Sequence, residues 1–207
     1  MSVMGDVVFW DVDTQNDFIE PNGRLYVSGT EGLRNNLRHL TRLGAEKARL
    51  CGSVDAHRPD DPEFSDWPVH CVYGTRGQLK VTETLVDGTL FVPSIRLADS
   101  QLSEAVAYSG QVIFEKQGTD VRGNPNVKPF MELVKPDLVV VYGVVSEICV
   151  NHAVDFLGRE LGFRTVVVGD AIKELDKSKA DICWAEWKRY GVEEVCTADV
   201  EALLIDL

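Results

Sequence analysis

The residues of this chain best suited to chemistry each come directly after an apolar stretch. Asp13 follows VVFWDV, Asp55 and His57 follow LCGSV, Lys116 follows QVIFE, and Cys149 follows VVVYG after a short segment. A cysteine reached through a strand, a tight turn and a helix start lies where unpaired backbone N–H groups and the positive end of the helix dipole favour a thiolate. Such a thiol is a nucleophile, an aspartate beside it is an acid/base, an ammonium steadies negative charge, and a carboxylate with an imidazole is a pair of metal ligands. Singly, each residue also has an ordinary structural use. Free cysteines mostly pack as small apolar side chains, and strand-end charges pair with neighbours. It is their common position that argues for chemistry.

That position depends on the elements around them. Val7–Val12 is a nearly unbroken apolar run, as in a strand buried on both faces of a parallel sheet. Residues 31–47 carry Leu33, Leu37, Leu40 and Leu43 at helical spacing, and residues 50–54 read as a second strand. Further strands are expected at 111–114, 139–142, 165–168 and, more weakly, 192–196, with helices at 127–134, 178–189 and after Cys149. Residues 58–94, punctuated by Pro59, Pro62, Pro68, Gly74, Gly77 and Gly88, read as irregular and too long for an idle connection. Alternating strands and helices predict an α/β fold, a parallel sheet with helices on both faces and ligands at the carboxyl ends of the strands. All five chemical residues fall on that edge. Residues 1–207 are expected to form one domain.

Composition narrows the function classes. With 207 residues, 44% of them hydrophobic, and no apolar run long enough to span a bilayer, the chain reads as a soluble protein with one sizeable core. Its opening, MSVMGDVVFWDVD, has no basic stretch, so no secretory leader is expected. Five cysteines without a CxxC spacing suit a reducing compartment, hence the cytoplasm, and Cys51, Cys71, Cys183 and Cys196 are expected in the core. A net charge of −12 argues against nucleic acid and anionic membrane as partners. His39 and His152 lie in helical stretches and are expected to pack or face solvent.

The pieces VDTQNDF, DAH, DWPVHCVYGT, VIFEK and GVVSEIC, spread over residues 7–170, resemble the isochorismatase-like cysteine hydrolases and, within them, the nicotinamidases. The resemblance implies a three-layer α/β/α fold with a six-stranded, mainly parallel sheet. It also implies Asp13 as the catalytic aspartate, Lys116 as its lysine and Cys149 as the nucleophile. In the family the bond matching Val144–Val145 is cis, and the N–H groups of Val145 and Cys149 would form an oxyanion hole. Asp55, His57 and His70 match a metal triad, with Glu63 a candidate fourth ligand; the donors suit zinc first, with iron or manganese as alternatives. Phe18 and Trp67 match aromatic residues that sandwich the substrate ring. Lys116 and the helix start are expected to bring the thiol below its usual pKa of about 8.5.

The reaction implied is nicotinamide plus water to nicotinate plus ammonia through a Cys149 thioester, with a small-molecule amide as partner and a homo-oligomeric assembly. Two departures keep substrate identity open. Residues 117–130, QGTDVRGNPNVKPF, replace a tyrosine-rich stretch, and Ile148 stands where some nicotinamidases have histidine. Another small carboxamide or a ureido compound is the alternative substrate, and a binding module that kept the fold is the non-enzymatic one.

Overall fold

The strands are β1 (Val7–Val12), β2 (Arg49–Asp55), β3 (Thr89–Val92), β4 (Gln111–Lys116), β5 (Leu138–Val144), β6 (Thr165–Lys173) and β7 (Glu193–Val195). In the computed structural model, which describes residues 7–205, they form one sheet in the order β3-β4-β2-β1-β5-β6-β7. Every pairing is parallel. β1 lies at the centre with all six residues buried, which is why its sequence reads as a continuous apolar run rather than an alternation. The expectation that MSVMGDVVFWDVD carries no leader falls on a stretch whose first six residues lie outside the described residues.

Helices cover both faces. On one side α3 (Asp99–Ala107), α4 (Val127–Val134), α5 (Asn151–Val154) with its flanking π-helical turns, and α6 (Lys177–Arg189) pack on Val8, Trp10, Val12, Phe114, Val139 and Val141. On the other, α1 (Asn16–Ile19), α2 (Arg34–Lys47) and α7 (Val200–Leu203) pack on Phe9, Val140 and Tyr142. α2 buries Leu37, Leu40 and Leu43, the helical stripe legible in the sequence. The three-layer α/β/α arrangement is therefore as expected. Among the described residues no helix is long and apolar enough to cross a membrane.

The expected count of six strands is corrected to seven. β3 lies inside the stretch read as irregular, and α3 follows it. β3 is an edge strand whose sequence, TLFV, is apolar and strand-prone but only four residues long between Gly88 and Pro93, too short to stand out from the punctuated stretch around it. β6 also continues past Gly169 and Asp170 to Lys173, with a register shift against β5 between Val141 and Gly143. The chain order reverses at β1: β2, β4 and β3 extend to one side, and β5, β6 and β7 to the other. The carboxyl ends of β1 and β5 therefore border the crevice in which doubly wound sheets bind ligands.

Candidate active site

Four strand ends deliver the chemical residues. Asp13 leaves β1 at φ 49°, a left-handed conformation that aspartate tolerates better than most residues, and its Oδ1 accepts from Ser53 Oγ at 2.7 Å. Lys116, the last residue of β4, is fully buried with its ammonium 2.9 Å from Asp13 Oδ2, 3.6 Å from Cys149 Sγ and in contact with Asp55 Oδ1. Cys149 lies in a π-helical turn, Ser146–Val150, that begins directly after the cis Val144–Val145 bond. The cis bond expected from the resemblance is present. Gly143 opens this turn at φ 120°, where a Cβ would stand 2.1 Å from the carbonyl oxygen of Val12. Only glycine lets β5 run this close to β1 and still turn.

The electrostatics correct one expectation. Burial raises the Cys149 thiol well above the ordinary value; Lys116 pulls it down, but Asp13 and Asp55 push it back up. One ammonium shared by two carboxylates does not offset full desolvation, so the resting form is thiol rather than thiolate. Burial likewise raises Asp13, against the pull of Lys116, and makes it a better proton acceptor than an exposed carboxylate. Lys116 is desolvated as well, yet Asp13 and Asp55 hold its pKa well above that of a free lysine. The arrangement can pass a proton from sulfur to Asp13 while the ammonium stays charged.

Beside this trio, Asp55, His57 and His70 offer three buried donor atoms within 4.8 Å of one another. Asp55 Oδ2 is 3.7 Å from His57 Nε2 and 3.6 Å from His70 Nε2, and Glu63 Oε1 is 4.0 Å from both. His70 Nδ1 donates to the Pro68 carbonyl at 2.7 Å, which leaves Nε2 with a lone pair facing the cluster. His57 has no hydrogen bond at either ring nitrogen, although Asp61 Oδ2 stands 3.1 Å from its Nδ1. A fully buried imidazole nitrogen without a partner is costly; Nδ1 faces the Asp61 carboxylate, and a divalent ion would satisfy Nε2. Burial alone would raise Asp55, but Lys116 and the two imidazoles hold it well below the usual carboxylate range, ionised as a metal ligand must be. The donor set fits zinc, iron or manganese.

The cleft above these groups is narrow and is lined by Phe18, Trp67, His70, Val145, Ile148 and Cys149, with Glu63 and Leu175 among the remaining residues. Every residue singled out from the sequence is thus brought to one place, and neither His39 nor His152 lines it. Of the other cysteines, Cys51, Cys71 and Cys183 are buried as expected, whereas Cys196 is exposed. Residues that carry no mark of their own also matter. Gln15 donates to the Asp55 carbonyl at 2.8 Å and accepts from the Asp55 N–H at 2.7 Å, fixing β2 against β1. Asp17 accepts from the Cys71 N–H at 2.7 Å and so sets the segment bearing His70. Both lie in the DTQNDF piece, which was the available signal. Phe64, with its ring 5.2 Å from His57, and Leu175 gave none.

The comparisons agree with this geometry. Residues 8–199 match the isochorismatase domain. The chain is similar to the nicotinamidase/pyrazinamidase of Mycobacterium tuberculosis, at 29% identity over 199 residues that cover 90% of this chain and 97% of that one. The structure resembles the nicotinamidase/pyrazinamidase of Bacillus subtilis, with a TM-score of 0.73 and 19% identity over 92% of this chain and 99% of that one. It also resembles the pyrazinamidase of Pyrococcus horikoshii solved in complex with zinc, with a TM-score of 0.72 and 22% identity over 92% and 99% of the two chains.

Proposed function

The chain belongs to the isochorismatase domain family, and from that premise we propose that it is a metal-containing cysteine amidohydrolase that converts nicotinamide and water to nicotinate and ammonia. The observation that carries this reading is the burial of Asp13 and Cys149 on either side of the Lys116 ammonium, which contacts both, with an Asp-His-His donor set alongside. Cys149 sulfur attacks the carboxamide carbon as its proton passes to Asp13. Asp13 then returns that proton to the leaving nitrogen, and ammonia departs from a thioester. Water, deprotonated by Asp13, hydrolyses the thioester, and the proton restores the thiol as nicotinate leaves. Lys116 stays charged throughout and orients both Asp13 and the sulfur. The N–H groups of Val145 and Cys149 are assigned to the developing oxyanion.

Asp55, His57 and His70 would hold the ion, zinc in the first place, with Glu63 a fourth ligand either directly or through water. A bound ion would supply a Lewis-acid anchor for a ring nitrogen. Phe18 and Trp67 would stack on the ring. We assign residues 1–207 to one hydrolase domain that works in the cytoplasm as a homo-oligomer, a reading supported by five free cysteines and by the family.

A second reading, hydrolysis of another small carboxamide or of a ureido compound, is favoured by Ile148 and Thr119, which bring an aliphatic group and a hydroxyl to the cleft wall. The deciding measurement is kcat/KM for nicotinamide and pyrazinamide against aliphatic amides and ureas. We expect the ring amides to lead by at least about tenfold, roughly 1.4 kcal/mol in the transition state, and Trp67→Ala to erase the lead. Equal turnover of the aliphatic compounds moves the assignment to the second reading. Full activity in Cys149→Ala removes both.

A further inference from the structure

We infer that Glu147 is a positioning residue that holds Leu175 in place as the size-selecting wall of the cleft; this rests on the reading of Cys149 as the reacting group. Leu175 lies in the connection between β6 and α6, lines the cleft with Ile148 and Cys149, and is 44% exposed. It therefore stands at the mouth, with one side toward the cleft and the other toward water. A half-exposed leucine on a loop gains little from packing alone, so its position depends on what grips its backbone.

That grip is the Glu147 carboxylate. Its Oε1 accepts from the Leu175 N–H at 3.1 Å and from the Asp176 N–H at 2.7 Å, and Oε2 lies 3.4 Å from the same Leu175 nitrogen. Hydrogen bonds to an ionised acceptor are about twice as strong as neutral ones. Asp176 in turn caps α6 by accepting from the N–H groups of Ser178 and Lys179, so the gripped segment is tied to the helix behind it.

Glu147 itself belongs to the turn that carries the nucleophile, two residues before Cys149. That turn is tied down by the Ile148 and Val150 N–H groups, which donate to the Val145 carbonyl at 3.1 and 3.0 Å. The wall is thus tied to the turn that bears the nucleophile as well as to the end of β6, whose Lys173 pairs with Val144. The consequence is a mouth whose width relative to sulfur is constant, suited to narrow, flat amides and closed to bulky ones.

The test labels Cys149 with iodoacetamide and with a bulky N-aryl iodoacetamide, and measures kcat/KM for nicotinamide against a ring amide carrying a large substituent. Leu175→Ala should raise the bulky-to-small ratio by about tenfold in both assays. Glu147→Ala should raise it in the same direction, Glu147→Gln, which keeps an acceptor, should stay near the native ratio, and the Glu147→Ala/Leu175→Ala double variant should go no further than Leu175→Ala alone. If Glu147→Ala does not fold, Glu147→Asp, which withdraws the carboxylate by one methylene, must still shift the ratio. An unchanged ratio in Leu175→Ala overturns the wall. A Glu147 variant that slows both reagents equally overturns the coupling and leaves Glu147 a support of the turn alone. Labelling does not depend on amide turnover, so normal Cys149 labelling without hydrolysis counts against the proposed function and not against this inference.

Discussion

At the scale of single residues, the centre is a competition for one ammonium. Lys116 faces Asp13, Asp55 and Cys149 at once; at the sulfur, burial raises the thiol first of all, Lys116 pulls it down and the two carboxylates push it up. Replacing Asp13 by Asn should therefore have opposite effects on two measurements. Turnover should fall by about 10²–10⁴, the usual contribution of a positioned acid/base. Alkylation of Cys149 should speed up at neutral pH, because a negative charge that raised the thiol pKa is gone; the pH–rate profile for iodoacetamide should move to lower pH. A shift to higher pH, or none, would show that Asp13 does not act on the sulfur. These residues could be picked out from the sequence because each is a polar residue that interrupts an apolar run. Their balance of charge could not, because Asp55 and Asp13 come from different strands and only the folded sheet brings both beside Lys116.

At the scale of elements, the segment between β2 and β3 is irregular in backbone yet tightly held, since it bears His57, Trp67 and His70. One clasp is an ion pair in the interior: Lys80 Nζ contacts Asp11 Oδ2 at 2.5 Å and Thr14 Oγ1 at 3.0 Å, with both charged side chains excluded from solvent. Asp11 sits in the middle of β1 in an otherwise apolar run, where the pattern gives no hint of a partner 69 residues away. Removing either partner alone leaves an uncompensated buried charge. Asp11→Ala or Lys80→Met should lower unfolding free energy by about 3–5 kcal/mol in urea titrations, while the double variant Asp11→Ile/Lys80→Met should recover most of the loss. Additive losses in the double variant would mean the pair is not coupled. Gly143 is a second such joint: Gly143→Ala places a methyl 2.1 Å from the Val12 carbonyl oxygen and should part β5 from β1, seen as lost activity with a lowered melting temperature.

At the scale of the molecule, a bound divalent ion would tie β2, with Asp55, to the long segment with His57 and His70, so metal content and global stability should move together. At a hundredfold excess of metal over Kd the linkage is about 2.7 kcal/mol, roughly 5–10 °C in melting temperature for a domain of this size. Chelation should lower Tm by that amount, readdition of zinc should restore it, and the His57→Ala/His70→Ala double variant should lose both the metal, by elemental analysis, and the response to chelator. An unchanged Tm in a protein shown to have lost its metal would detach the ion from the fold. By itself the sequence determined the α/β class, the central strands, the α2 stripe and the residues at the strand ends, because apolar period and its interruption are local properties of the chain. The tertiary structure decided the rest: the edge strand β3, held by pairing with β4 alone; the protonated state of Cys149, set by burial among charges from three other strands; and the Glu147 grip on Leu175. Each of these depends on partners distant in the chain, and neither periodicity nor spacing encodes which distant groups will meet.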